Sequence, residues 1–211
     1  MKIDSSNALQ ILVLIGGLSL IPAILFTVTG FTRILIVLGF IRTALGTTTT
    51  PPNQVLVGIA LFLTLFVMQP TIGAIKKDAW DPLEKHQITM SVAIDRAEEP
   101  LREFMFRQVS SNDLSLFVSL AKIKTPQTRA QVPTYVLSPA FIMSELKTAF
   151  QIGFLIFLPF LIIDLIVSST LMSVGMMMLP PTFISLPFKI LLFVLVDGWD
   201  VITHSLIASF H

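Results

Sequence analysis

Five charged residues lie inside stretches that are otherwise apolar, and they are the first candidates for chemistry in this sequence. They are Arg33, Arg42, Asp164, Lys189 and Asp197. A charge that faces lipid is costly, so such residues normally face the interior of a protein or a watery cavity. One hypothesis is that they line a conducting path or a proton relay. The other is that they form structural ion pairs within or between subunits.

Lys189 has two possible partners under the structural hypothesis, Asp164 and Asp197. The second lies eight residues further along the chain. Eight residues correspond to about two helical turns, so a continuous helix would carry both side chains on one face.

Three consecutive methionines, Met176, Met177 and Met178, follow Gly175 at the centre of the last apolar block. The methionine side chain is unbranched, apolar and conformationally soft. In a ring of subunits such loops would converge into a deformable gasket that closes against ions and yields to a passing polypeptide. The alternatives are lipid contact, ordinary packing, or a copper(I) thioether site. No His or Cys accompanies the cluster to complete a copper site.

Motifs for catalysis are absent from the sequence. It contains no G-x-S-x-G, no H-E-x-x-H, no P-loop and no G-x-G-x-x-G. There is no cysteine, which excludes a disulfide framework, a zinc-thiolate site and a catalytic thiol. The net charge is +1, with basic and acidic residues alternating in the polar region. We therefore expect no enzyme activity, no cofactor, no metal and no nucleic-acid partner.

The composition points to a membrane-associated chain. Of the 211 residues, 54% are hydrophobic and 13% are charged, against ~25% charged residues in soluble domains. A soluble domain of this length could not hide so much apolar surface in one core. The excess must face membrane lipid, other subunits, or both.

The charges divide the chain into three regions. Of the 27 Lys, Arg, Asp and Glu residues, 19 lie between Lys76 and Lys147. We therefore predict N-terminal apolar helices with a hairpin over 1–75, a polar helical insert over 76–148, and a C-terminal apolar hairpin over 149–211.

The first region contains three apolar stretches. Ala8 to Val28 is long enough for a membrane span, and a signal sequence is the alternative because Lys2 precedes it. A second helix is predicted over Phe31–Leu45 and a third over Gln54–Ile75. Between them, Gly46 followed by Thr and Pro residues suits the end of one helix and the start of the next, which predicts a tight hairpin.

The polar insert is predicted to be a small helical unit on the non-cytoplasmic side. Apolar residues recur at helical spacing between Ser91 and Leu120. We expect a break at Ser110–Asn112 with Asp113 in the next first turn, and a loop over Thr125–Pro133. The region has too many aliphatic and aromatic residues for disorder.

Prolines and glycine interrupt the last apolar block. A proline inside a helix removes a backbone donor and tends to kink or break the helix, and in a membrane the freed carbonyl needs neighbouring helices. The predicted helix breaks are Pro159, Gly175, Pro180, Pro181 and Pro187. The expected fold is all-α: two long apolar helical hairpins flank a small polar insert, packed in an oligomeric membrane-associated ring.

Several ordered strings carry a resemblance to a known family. They are SELKTAFQIGF over 144–154, GMMMLPP over 175–181, ISLPFK over 184–189, FVLVDGW over 193–199, FTR over 31–33, RTALG over 42–46 and PPNQV over 51–55. In these strings the chain resembles the FliP family of flagellar export-gate proteins, whose injectisome counterpart is the SctR family. The triple methionine followed by two prolines favours the flagellar branch.

The resemblance implies a ring of about five copies that assembles with FliQ-like and FliR-like subunits. Such a ring is the entry portal for unfolded flagellar proteins in the basal body, at the bacterial inner membrane, and it is not an ATPase. In this family the loop that corresponds to Met176, Met177 and Met178 lines the closed pore. The family assembly is also lifted partly out of the bilayer, which would explain charges and prolines in apolar helices.

We expect the chain to be a pore-forming subunit of the flagellar type III protein export gate. One alternative is an injectisome export-gate homologue. The other is a self-contained secondary transporter or proton channel, which broken helices and intramembrane charges would also suit. A transporter should work without FliQ-like and FliR-like partners, so stoichiometry separates the two classes.

Overall fold

The computed structural model describes residues 22–176 and 178–210. Most of the predicted span over Ala8–Val28, and Met177, therefore lie outside the described residues. Within them every regular element is helical, as the sequence predicts.

Nine α-helices occur in the described part of the chain. They are α1 (Pro22–Val28), α2 (Phe31–Ala44), α3 (Asn53–Ile75), α4 (Asp81–Glu84), α5 (Met90–Gln108), α6 (Ser111–Leu120), α7 (Thr134–Ser173), α8 (Pro181–Leu195) and α9 (Gly198–Ala208). A π-helical turn, Lys76–Trp80, joins α3 to α4 without a break, and a short 3-10 helix, Arg129–Gln131, precedes α7.

The turn between α2 and α3 confirms the hairpin expected from Gly46. This residue has a φ of +79°, the left-handed conformation that glycine adopts without strain. Its N–H donates to the Thr43 carbonyl at 2.9 Å, and the N–H of Thr47 donates to the Arg42 carbonyl at 3.3 Å. This pair of bonds is the Schellman pattern that satisfies the last carbonyls of a helix.

The insert follows the sequence prediction closely. The chain leaves helical geometry at Val109 and Ser110, and α6 begins at Ser111. The Ser110 hydroxyl accepts a hydrogen bond from the Asp113 N–H at 3.1 Å, which is helix N-capping. Pro100 lies inside α5 and does not end it.

The core lies where α2 and α5 pack against the first part of α7. Its largest buried side chains recur at helical spacing on α2 and are joined by aromatic and sulfur side chains from α5 and α7. Members include Phe31, Ile34, Leu38, Ile41, Phe104, Met105, Leu137 and Phe141. The division of the chain at 75 and 148 stays a prediction, and both positions lie within continuous helical paths.

Two of the predicted breaks differ from the structure. Pro159 lies within α7 and Pro187 within α8, and neither helix ends there. A proline removes only one backbone donor, and the helical turns on both sides persist. Gly175, Pro180 and Pro181, in contrast, mark the end of α7 and the start of α8.

Two helical segments are long and apolar enough to cross a membrane. They are Asn53–Glu84 and Thr134–Ser173. Two further candidates are bent pairs: α1 and α2 meet at 84°, and α8 and α9 meet at 65°. The described chain therefore has two to four spans by length and composition.

Candidate functional site

The methionine turn joins α7 to α8, and two backbone hydrogen bonds hold its first residues. Gly175 ends α7 with a φ of +77°. Its N–H donates to the Met172 carbonyl at 3.1 Å, and the Met176 N–H donates to the Leu171 carbonyl at 3.0 Å. Pro181 then occupies the first turn of α8, a position where its missing N–H costs nothing.

The described side chains of this turn are all exposed to some extent. Met178 is 98% exposed and Met176 is 45% exposed. Val174 and Leu179 beside them are exposed as well. Two of these apolar side chains, Val174 and Met178, therefore have most of their surface free for contacts outside this chain, and Met176 and Leu179 have a smaller share free. The role of the methionines as a seal stays a prediction.

Asp164 and Lys189 form an ion pair between α7 and α8, which is one of the two partnerships that the sequence left open. The Lys189 Nζ donates to Asp164 Oδ2 at 2.6 Å. Ser185, one turn before Lys189, donates its hydroxyl to Asp164 Oδ1 at 2.6 Å. The Lys189 side chain is nearly fully buried, whereas that of Asp164 is 27% exposed. Both carboxylate oxygens are thus engaged, and the pair fixes the register of the two helices.

Asp197 does not share a helix face with Lys189, so that part of the prediction is wrong. The helix α8 ends at Leu195, and Asp197 adopts a left-handed conformation with a φ of +54°. The chain then turns by 65° into α9. Aspartate is one of the few residues that tolerate the left-handed region. Its side chain is exposed.

Arg42 serves the α2–α3 turn. Its Nη1 donates to Asn53 Oδ1 at 2.5 Å and to the Pro51 carbonyl at 3.4 Å. The side chain is half-buried, and no carboxylate pairs with it in the described part of the chain. Arg42 therefore ties α2 to the start of α3.

Arg33 is the centre of the largest buried polar network. Its Nε donates to Glu145 Oε2 at 2.9 Å, and its Nη2 also donates to the same carboxylate. The side chains of Arg33 and Glu145 are 2% and 0% exposed. Nη2 donates further to Gln108 Oε1 at 3.0 Å, and Nη1 donates to the Ser209 carbonyl at 2.6 Å. Such a bidentate pair is the strongest form of arginine recognition.

Sequence reasoning found Arg33 but missed Glu145 and Gln108. Glu145 lies in the string that carries the family resemblance, but it was counted with the polar insert. One signal was available: Glu145 is an acid within the largely apolar helix α7, and Arg33 is a lone charge that needs a partner. Nothing local indicated which acid would meet it, because the partners are 112 residues apart.

A second polar cluster joins α6 to α7 around Asp113. Its carboxylate accepts hydrogen bonds from the hydroxyls of Ser110 and Ser144, both at 2.7 Å, and from the Lys147 ammonium. Burial raises the pKa of Asp113, but the hydrogen bonds from Lys147, Ser110 and Ser144 outweigh burial and leave the pKa below its usual value. Asp113 is therefore a carboxylate that the fold holds ionised.

The distance between the Glu145 and Asp164 clusters along α7 argues against a proton relay between them. No titratable residue lies on α7 between Lys147 and Asp164. Asp164 follows Glu145 by 19 residues, which corresponds to about 28 Å along a helix. Proton transfer requires groups within hydrogen-bond reach. Within residues 22–176 and 178–210, no three His, Asp or Glu side chains converge as metal ligands. The geometry favours structural pairing of the charges.

Comparison with known proteins identifies relatives of this chain. A family model described as the FliP family matches residues 14–206. The flagellar biosynthetic protein FliP of Pectobacterium carotovorum subsp. carotovorum is 57% identical over 204 residues, which cover 97% of this chain and 79% of that protein. The FliP protein of Bacillus subtilis (strain 168) is 55% identical over 205 residues, covering 97% of this chain and 93% of the relative.

A more distant relative has the same name. The flagellar biosynthetic protein FliP of Borreliella burgdorferi is 48% identical over 206 residues, which cover 96% of this chain and 81% of that protein. The match of the family model over most of the chain, together with identities of this size, means that this chain belongs to the FliP family.

Proposed function

We propose that this chain is a pore-forming subunit of the flagellar type III protein export gate. It passes unfolded flagellar proteins across the bacterial inner membrane, within the flagellar basal body. It acts as a homo-oligomer of about five copies, with FliQ-like and FliR-like subunits. The observation that carries the proposal is membership of the FliP family over almost the whole chain.

The exposed apolar surface supports an assembled rather than an isolated chain. Only 11% of the most apolar window of Thr134–Ser173 is buried. Exposed apolar surface of this extent marks contact with lipid or with other proteins. Prolines in apolar helices free backbone carbonyls that need neighbouring groups in a low-dielectric environment, which neighbouring copies would supply.

The methionine turn supports a pore. Copies arranged about a symmetry axis present the same surface to that axis, so hairpin tips that point inward would meet there. Met176 and Met178 are exposed at such a tip. Soft, unbranched side chains close a gap without a fixed shape, and they would part when a polypeptide passes.

The alternatives have weaker support. A self-contained transporter or proton channel needs a path for charge, but the Asp164 carboxylate is already engaged by Lys189 and Ser185. An injectisome homologue is disfavoured because the relatives described above are all named as flagellar biosynthetic proteins.

The test replaces Met176, Met177 and Met178 together with Ala in cells that carry the complete export apparatus. We expect the assembled variant to leak ions, because three small side chains leave a gap where the thioethers met. Membrane potential and ion leak are measured while assembly is followed on native gels.

The matched control replaces Met90 and Met143 with Ala. Both are exposed methionines outside the turn, so their loss should leave the membrane tight. A triple variant that assembles, exports normally and does not leak would contradict the proposal that the methionines seal the pore. Leak in the control as well would mean that the effect is not specific to the turn.

A further inference from the structure

The end of α9 lies in the bend between the first two described helices. The axes of α1 and α2 meet at 84°, with Thr29 and Gly30 between them. Phe210, two residues beyond α9, is buried, and its ring atoms lie 2.6 Å from the position that a Cβ on Gly30 would take. The aromatic ring therefore packs against the backbone of the segment that joins α1 to α2.

Hydrogen bonds hold this end of the chain from two helices. Arg33 donates from Nη1 to the Ser209 carbonyl at 2.6 Å and to its hydroxyl at 3.1 Å. Its guanidinium carbon lies 4.0 Å from the centroid of the Phe210 ring, a cation–π contact. Gln108 donates from Nε2 to the Phe210 carbonyl at 2.9 Å. The ring also stacks on Phe104, with centroids 6.3 Å apart.

The conformation of Gly30 does not enforce the bend by itself. Gly30 has φ −71° and ψ +2°, so a rotation of roughly 40° in ψ alone would return it to α-helical geometry. The local hydrogen bonds come from hydroxyls: Thr32 donates to the Phe26 carbonyl at 2.9 Å, and Thr29 accepts from the Phe31 N–H at 3.3 Å. Hydrogen bonds between neutral groups, such as these, are weaker than the ones that the charged Arg33 guanidinium donates to Ser209. The tertiary contacts are therefore the larger constraint.

We propose that Ser209 and Phe210 form a latch that sets the bend between α1 and α2. Until the latch docks, α1 and α2 run on as one straighter helix. Because the N-terminal part of a chain is synthesised first, the bend closes only after α9 has been made. The latch links the two bent helix pairs of the fold, since the end of one pair occupies the bend of the other. This proposal does not depend on the pore function.

The angle between α1 and α2 tests the proposal directly. The chain has no cysteine, so spin labels at Ile24→Cys and Thr43→Cys, both exposed, report only the chosen pair. A straight helix separates these backbone positions by about 28 Å, and an 84° bend reduces the separation to about 23 Å. Pulsed electron paramagnetic resonance on the full chain in nanodiscs resolves this difference.

Two variants open the latch from opposite sides. Phe210→Ala removes the ring, and Gly30→Ala places a methyl group where the ring lies while leaving Phe210 intact. We expect both to lengthen the main distance by about 5 Å. If Phe210→Ala does not fold, Gly30→Ala provides the measurement alone.

Phe193→Ala is the matched control. Phe193 is a buried ring at the other bend, where it contacts Trp199 with centroids 5.3 Å apart. It should leave the distance between labels 24 and 43 unchanged. A wild-type distance in either folded latch variant overturns the proposal, and so does an equal lengthening in the Phe193 control.

Discussion

The two halves of α7 are buried to very different extents, and the more apolar half is the more exposed one. In the first half, residues 134–153, buried positions follow a helical stripe: Val136, Leu137, Ala140, Phe141, Ser144, Glu145, Ala149 and Gly153. In the second half, residues 154–173, Phe160 is the one buried position among those described. The large side chains there are exposed: Phe154, Leu155, Leu158, Leu161, Ile162, Leu165, Ile166 and Met172.

The first half of α7 therefore contributes to the folding of the single chain, whereas the second half is available for assembly. The first half is covered by α2, α5 and α6, and its buried acid, Glu145, is paired within the chain. The second half contacts α8 and retains a single ion pair, Asp164 with Lys189. Its remaining surface is available to lipid or to other subunits.

The largest expected effect comes from Glu145→Ala in the buried half. It leaves the Arg33 guanidinium buried without its carboxylate, which should lower the free energy of unfolding by about 3–5 kcal/mol. Thermal or denaturant unfolding of the purified chain in detergent measures the loss. The double variant Arg33→Met with Glu145→Leu should recover part of it, because no uncompensated charge remains. A loss below about 1 kcal/mol in the single variant would show that the pair is not needed for stability.

An intermediate effect is expected from Asp113→Asn, and it depends on pH. The folded chain holds the pKa of Asp113 below its usual value, so the unfolded chain takes up the proton first as the pH falls. The stabilisation is therefore complete above the usual aspartate pKa and is lost as the pH drops through the lower, folded value. At pH 7 the variant should be about 2 kcal/mol less stable. Its difference from the wild type should shrink below pH ~4.

Melting temperatures at pH 7 and pH 3 provide the comparison for this prediction. Asp95→Asn is the control, because Asp95 is an exposed acid on α5. A stability difference for Asp113→Asn that stays constant across this pH range would mean that charge is not the source of the effect.

The smallest effect on folding is expected in the exposed half. Ile166→Ser replaces an exposed side chain, so the free energy of unfolding of the single chain should change by less than about 0.5 kcal/mol. Assembly into a larger complex, followed on native gels, should nevertheless fall. Leu120→Ser on α6, which is similarly exposed, should leave assembly intact. Equal assembly of the two variants would remove the distinction between the halves of α7.

Local signals predicted the helices well. Gly46 indicated the end of α2, Ser110 and Asp113 indicated the start of α6, and Gly175 with Pro181 indicated the methionine turn. In each case the conformation is decided by a few neighbouring residues through caps and left-handed glycines. The partnership of Lys189 with Asp164 was also within reach, because helices joined by a short turn bring such residues together.

Contacts between residues far apart in the chain could not be predicted from the sequence. Arg33 meets Glu145 across the fold, and no periodicity indicates that contact. Asp197 was a different kind of miss: the Asp-Gly dipeptide at 197–198 is a local turn signal, although it lies in a mostly apolar stretch. The helix break predicted at Pro159 is wrong, because a long helix accommodates one missing backbone donor.

The length of α7 has a mechanical consequence. Its 40 residues span about 60 Å, twice the ~30 Å hydrocarbon thickness of a bilayer. One end is clamped by the Asp113 and Glu145 clusters, and the other carries the methionine turn. The clamped residues, 144–147, lie about 40 Å from the end of α7, so a tilt of ten degrees about them would displace the methionine turn by about 7 Å. A small tilt of α7 at the polar insert would therefore move the far tip by several ångströms.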